Sequence, residues 1–223
     1  MKIVAGIIAL ALVLLAARKL LRYKTLYPFL PRKYNFGKRR DTLRETLRLL
    51  RERGAKHLVE TGTARGGLSK SKGDGASTIV FGLWARDNGA HLHSVDIDPA
   101  SIAESGRAVE EQGLGDFVTL VTSDSVAFLE AYMDPVDFLY LDSFDYHKTD
   151  TDIQVASQMH HLKEIETIFD RLHDDSIILI DDCRQPNGGK GKLAIEFLVS
   201  RGWHVHMSDY QVVLLAGESD RSA

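Results

Sequence analysis

The chain has a single cysteine, Cys183, in 223 residues. That excludes an internal disulfide and fits a reducing compartment. It has no acidic residue before Asp41. Ten of its 28 Lys and Arg lie in that same stretch, so the remainder carries 18 basic residues against 31 acidic ones. An acidic body of this kind is a poor general binder of nucleic acid, and no aromatic-basic recognition patch stands out. Internal repeats and low-complexity segments are also missing, and with them the solenoid and disordered classes.

A long uninterrupted apolar run is missing too. Ile3–Ala17 is fifteen residues without a charge. At about 1.5 Å per residue this is short for a hydrocarbon core of roughly 30 Å. Leu20 and Leu21 extend it, and Lys2, Arg18 and Lys19 can snorkel. The positive charges just after the run oppose a cleaved signal peptide, and apolarity on every face opposes a core helix. The expectation is a single-pass transmembrane anchor over 1–22 with a cytoplasmic body. A basic linker over 23–40 follows, interrupted by Pro28 and Pro31, lying against anionic headgroups.

The periodicity changes at Asp41. "DTLRETLRLLRERG" spaces its leucines as an amphipathic helix, with Asp41 as N-cap and Gly54 as stop. Strands and helices then alternate. Strands are read in "HLVETG", "HLHSVDID", "FVTLVTSD", "VDFLYLDS" and "SIILIDDC". The tail, "WHVHMSD" and "YQVVLLAG", reads as two tightly joined antiparallel strands. Continuous apolar strands separated by helices predict an α/β fold, a doubly wound and mostly parallel seven-stranded sheet.

The loop after the first strand, "VETGTARGGLSKSKGDGAST", is rich in glycine but lacks G-x-G-x-x-G. An acid, Glu60, stands at its mouth. Acids also close the other central strands: Asp96 and Asp98, Asp124, Asp142, and Asp181 with Asp182. Ligands of such sheets bind beyond the carboxyl ends of the strands. A rim of this sign would repel a pyrophosphate and favour a cationic ligand, a ribose or a divalent ion.

These features together resemble the class I S-adenosylmethionine-dependent methyltransferases. The likeness covers roughly residues 41 to 217, which makes 41–223 the methyltransferase domain. "VETGTARGG" is similar to the family's first motif. It implies a loop, with Glu60, Gly62, Thr63 and Gly66, running under the methionine and ribose of S-adenosylmethionine. "SVDID" resembles the second motif, whose acid accepts hydrogen bonds from both ribose hydroxyls; Asp96 matches better and Asp98 is the fallback. "TSDS" resembles the segment bordering adenine, with Asp124 or Ser125 at the base. Between Leu68 and Gly75 the loop is longer than the family pattern, as a surface insertion or as part of the substrate site.

Asp142, Asp181 and Asp182 resemble the divalent-metal site of the metal-dependent small-molecule O-methyltransferases and cephalosporin-hydroxylase-like proteins. The resemblance implies Mg²⁺ or another divalent cation on those three carboxylates. Asp142, His147 and His161 are the candidate catalytic residues. His160 and His161 are neighbours on one helix, so only one of them can face a site. "GGKGK", Gly188–Lys192, reads as a mobile lid or as a flexible loop. The leading expectation is a membrane-anchored methyltransferase acting on oxygen of a small molecule or saccharide. The alternatives are an NAD-binding oxidoreductase or epimerase, and a non-catalytic membrane-tethered protein.

Overall fold

The computed structural model describes residues 2–23 and 35–217. The chain forms two compact units, Met1–Lys33 and Tyr34–Ala223. The first contains one helix, α1 (Lys2–Tyr23). The expected membrane anchor does not stand: among the described residues no helix is long and apolar enough to cross a membrane. The physical reason lies in where the charges fall. The helix continues through Arg18, Lys19 and Arg22, so its uncharged part is only fifteen residues, about 22 Å against a core of roughly 30 Å. The single-pass localisation and the membrane partner fall with it. Pro28 and Pro31 lie outside the described residues.

The second unit is built on a seven-stranded sheet: β1 (His57–Thr61), β2 (His91–Asp96), β3 (Val118–Thr122), β4 (Val136–Leu141), β5 (Leu172–Ile180), β6 (His204–Ser208) and β7 (Val212–Leu215). Its order is β3-β2-β1-β4-β5-β7-β6. The first five strands run parallel. β7 is antiparallel to both β5 and β6. This is the expected mostly parallel sheet with its C-terminal antiparallel pair. The order reverses direction between β1 and β4, the switch point at which open α/β sheets bind ligands.

The helices of this unit are α2 (Arg40–Arg53), α3 (Ser77–Asn88), α4 (Pro99–Glu111), α5 (Ser125–Ala131), α6 (Thr151–Ile168) and α7 (Lys192–Ser200). Alternation along the central strands supplies two buried faces. On one, Val59, Leu139, Leu141, Ile178 and Ile180 pack with Leu129 of α5, Ile165 and Ile168 of α6, and Ala194 and Leu198 of α7. On the other, Phe81 of α3 meets Phe138 edge-on, with ring centroids 4.7 Å apart. The indole of Trp84 donates to the Leu47 carbonyl of α2.

Local ends differ from the sequence reading in small ways. α2 begins at Arg40, so Asp41 sits in its first turn, where it complements the helix dipole, and does not cap it. Gly54, at φ 66°, ends that helix as expected. Ser77 opens α3 after Ala76 and does not cap it from outside. α6 ends at Ile168, a 3-10 turn Phe169–Arg171 follows, and β5 reaches back to Leu172. The Leu68–Gly75 stretch packs with Leu68 and Ser71 buried, the Ser71 hydroxyl bonded to the Asn35 carbonyl.

Candidate active site

Two adjoining cavities open at the carboxyl ends of the strands. The larger, about 430 Å³, is lined by Gly62, Thr63 and Arg65 of the glycine loop, Asp74, and Asp96, Asp98 and Ser101 after β2. Asp142 and Asp145 after β4, Asp182 after β5, and Arg39, Lys190 and Tyr210 complete its wall. The smaller, about 250 Å³, is lined by Asp96, Ile97, Asp124, Ser125, Phe144 and His160. Gly62, Asp96, Ile97 and Ser143 belong to both.

Gly62 is where the chain turns from β1 into the loop. Its φ is 85°, and its N–H donates to the Val95 carbonyl at 2.8 Å. A Cβ there would lie 2.4 Å from the Asp142 carbonyl oxygen, so only glycine lets the first and fourth strand ends come this close. Asp96 holds the loop from the other side. Its Oδ2 accepts the Thr63 N–H at 3.1 Å and its Oδ1 the Asp98 N–H at 2.8 Å. Asp98 caps α4 through the Ala100 and Ser101 amides, and Asp124 caps α5 through Ala127. Gly66 faces the Lys70 side chain and lines neither cavity.

Glu60 is completely buried and also lines neither cavity. Its Oε2 accepts hydroxyl protons from Ser94 at 2.5 Å and Thr78 at 2.6 Å, and Thr78 Oγ1 in turn accepts the Ala64 N–H. Glu60 thus ties the loop to β2 and α3. Burial pushes its carboxyl up to about 7, against the opposing pull of Ser77, Ser94 and Thr78.

The other end of the rim is an ion network. Arg39 Nε donates to Asp181 Oδ2 at 2.7 Å, and the Tyr140 hydroxyl donates to the same oxygen at 2.8 Å. Asp181 Oδ1 accepts the Asp182 N–H at 2.8 Å. Lys190 Nζ donates to Asp142 Oδ1 at 2.5 Å and lies 3.6 Å from Asp182 Oδ2. The Tyr210 hydroxyl donates to Asp182 Oδ1, and the Arg39 guanidinium lies over the Tyr210 ring, 4.9 Å from its centroid. Burial and the Asp142 charge push Asp181 up to about 7 despite Arg39. Burial raises Asp142 too, against Lys190, whereas Asp182 is lowered because Lys190 and Tyr210 outweigh its burial. Lys190 is raised because Asp142 and Asp182 outweigh the burial that would discharge it.

This network decides how well the three acids fit a divalent cation. Five of their six carboxylate oxygens already face a protein donor or cation within the distances above. The sixth, Asp142 Oδ2, has only a long 3.4 Å contact with the Tyr140 hydroxyl, whose single proton is spent on Asp181. A doubly charged ion there would also meet the Lys190 ammonium and the Arg39 guanidinium. The donor set does not fit a metal. Among the described residues no group of three or more His, Cys, Asp or Glu could hold one.

The candidate bases separate as well. His147 is exposed, its Nδ1 accepting the Asp150 N–H, and lines neither cavity. His161 is fully buried in α6, with Nδ1 on the Ser157 carbonyl. Burial pushes its imidazole down to about 4, so it stays neutral. Its neighbour His160 faces the smaller cavity, with Nε2 3.0 Å from the Ser125 hydroxyl. Glu164 holds it there and raises its pKa. Only Asp142 of the three expected catalytic residues lines a cavity.

Several lining residues were not singled out from sequence: Arg39, Asp74, Lys190 and Tyr210. Of the pair His160 and His161, the one that faces a cavity is His160 and not the expected His161. Lys190 stood in plain view within "GGKGK". That segment is packed, since a Cβ on Gly189 would lie 2.1 Å from the Asp182 carbonyl oxygen and Gln158 donates to the Asn187 and Gly189 carbonyls. It is a tight turn that buries a lysine. Arg39 was assigned to a membrane-facing arm, yet Phe36 beside it is fully buried in the body.

The fold and rim place the chain in a class, and the comparisons agree with it. A family model described as "Methyltransferase domain" matches residues 72–183, half of the chain. The chain belongs to the class I S-adenosylmethionine-dependent methyltransferases. That sets aside the oxidoreductase and the non-catalytic tether. No curated protein matches it in sequence. Among solved structures it resembles the S-adenosylhomocysteine-bound methyltransferase PaMTH1 of Podospora anserina, at 16% identity and TM-score 0.58, over 92% of this chain and 88% of that one. It also resembles an O-methyltransferase of Bacillus cereus (12%, 0.56, covering 78% and 80%). A third is TomG of Streptomyces achromogenes, an O-methyltransferase of tomaymycin synthesis (14%, 0.55, covering 80% of each chain). At these identities the likeness is one of fold.

Proposed function

We propose that the chain methylates an oxygen of a small, polar acceptor such as a polyol or saccharide. The observation that carries the reading is Asp96, whose carboxylate ends β2 and lines both cavities. A carboxylate at that junction suits a ribose diol. Adenine would then lie in the smaller cavity between Ile97 and Phe144, beside Asp124, Ser125 and His160. The methionine end would follow Gly62 and Thr63 into the larger cavity. Glu60 and Gly66 would shape the loop without touching the cofactor.

Bound S-adenosylmethionine supplies an electrophilic methyl group on a sulfonium. The rest is work for this chain's side chains. Asp142 lines the larger cavity, and its Oδ2, which has no strong donor of its own, takes the proton of the acceptor hydroxyl as the new carbon–oxygen bond forms. Lys190 fixes Oδ1 and so aims Oδ2. The lining of Asp, Ser, Lys, Arg and Tyr favours a hydroxylated acceptor over an apolar one, and the named O-methyltransferases of the same fold support oxygen as the acceptor atom.

Calorimetric titration with S-adenosylhomocysteine tests the cofactor placement. Asp96→Ala removes two charge-assisted hydrogen bonds of roughly 1.5–3 kcal/mol each, so affinity should fall by about two orders of magnitude or more. Wild-type protein that takes up no cofactor at millimolar concentration would sink the reading. So would an Asp96→Ala variant that binds like wild type.

A further inference from the structure

We propose that Arg39 and Lys190 are the resident cations of the Asp142–Asp181–Asp182 rim, standing where a divalent ion would, so that the acceptor site is held by side chains alone. The inference rests on the functional reading above. It concerns a different part of the same site.

Three carboxylates from two adjacent strand ends repel one another unless positive charge lies among them. Here it does, twice. Arg39 is 2.7 Å from Asp181 and 3.9 Å from Asp182, and Lys190 is 2.5 Å from Asp142 and 3.6 Å from Asp182. Together the two cations touch all three acids, as a bridging metal would. Both are shielded from water: the Lys190 side chain is 2% exposed and that of Arg39 11%. A buried lysine whose partner were a displaceable surface charge would not stay folded inward.

Each cation is also built in by its neighbours. Arg39 Nη1 donates to the Gly73 carbonyl, and its guanidinium stacks on Tyr210. Lys190 is carried by a turn whose glycine, Gly189, presses on the backbone of Asp182. Asp182 itself adopts a left-handed backbone at φ 52°, which turns its carboxylate back toward both cations. Arg39 and Lys190 are positioning residues: they neutralise and aim the carboxylates, and Asp142 Oδ2 alone is left for the acceptor.

The test is titration of the full chain with Mn²⁺, followed by electron paramagnetic resonance of the free ion, with S-adenosylhomocysteine affinity measured on the same samples. Wild type should show no saturable Mn²⁺ binding, and its S-adenosylhomocysteine affinity should not change with EDTA. Lys190→Met leaves buried carboxylate charge uncompensated and should gain a Mn²⁺ site about tenfold or more tighter than wild type, whereas Lys190→Arg should not. A stoichiometric Mn²⁺ site in wild type that Asp182→Asn removes would overturn the proposal. A Lys190→Met protein, folded by circular dichroism, whose Mn²⁺ binding equals wild type would overturn it too. If Lys190→Met does not fold, the comparison passes to Arg39→Met with the same two outcomes. Loss of cofactor binding in wild type counts against the functional reading, not against this one.

Discussion

The two halves of the carboxylate rim solve the same electrostatic problem in opposite ways. Over β2 and β3, Asp96, Asp98 and Asp124 spend their charge on backbone amides at strand and helix ends. The partners of these three are backbone amides and, at Asp98, the Ser101 hydroxyl, so their field is open to a ligand. Over β4 and β5, Asp142, Asp181 and Asp182 are met by Arg39 and Lys190. Amide-satisfied acids face whatever binds. Cation-satisfied acids are locked, and only Asp142 keeps a spare oxygen. One sheet edge thereby carries a half open to a ligand and a half closed by its own cations.

Removing one partner from the locked half is the harshest way to break this contrast. Lys190→Met should cost about 3–5 kcal/mol in urea unfolding, because it strands a buried carboxylate. Asp96→Ala, by contrast, should reduce cofactor affinity while costing only about 1–2 kcal/mol in unfolding, because the Thr63 and Asp98 amides it frees border an open cavity. Similar stability losses for both would erase the distinction between the halves.

Glu60 sharpens it from beneath. Its folded pKa of about 7 lies above its ordinary value of 4.5, so the folded state holds its proton more tightly than the unfolded chain does. The stabilisation is fully present below about pH 4.5 and is lost as pH rises through about 7. Glu60→Gln should remove that slope. The variant should gain on wild type by at most about 3 kcal/mol between those pH values, measured by urea unfolding at stepped pH. Parallel pH profiles for the two proteins would show that folding does not raise the Glu60 pKa. The smallest effect is expected at Asp98. Asp98→Ala deletes an N-cap and should cost about 1 kcal/mol of stability while leaving cofactor affinity within a few-fold of wild type.

The receptive half was legible in the sequence because its residues lie at strand ends, where alternation and helix caps fix both position and direction. That logic places Asp96 and Asp124 at strand ends in "SVDID" and "TSDS", and the family resemblance supplied the roles expected of them. The locked half was not, because its cations come from elsewhere in the chain. A run of basic residues before the first acid suggested a surface in contact with headgroups, and nothing local marks Arg39 as the one that turns inward. Lys190 sat among glycines, a composition shared by mobile loops and tight turns. The choice between His160 and His161 needed the rotation of α6 about its axis, which a helix with apolar and polar residues on most faces does not declare. The metal followed from counting acids without counting the cations that fold against them. The parallel strands and the closing antiparallel pair were recoverable because the central strands carry continuous apolar runs and the last two are tightly joined; the order β3-β2-β1-β4-β5-β7-β6 came from the structure.

The reach of Arg39 has a consequence for the order in which the site is made. Thr63 and Asp96 are 33 positions apart, and Ser125 and His160 are 35 apart. Arg39 and Asp181 are separated by 142. Closing the longer loop costs more chain entropy, and on a ribosome its second end emerges much later. The contacts that frame the smaller cavity are therefore available while the chain is still incomplete, whereas the wall of the larger cavity waits for Lys190 and Tyr210.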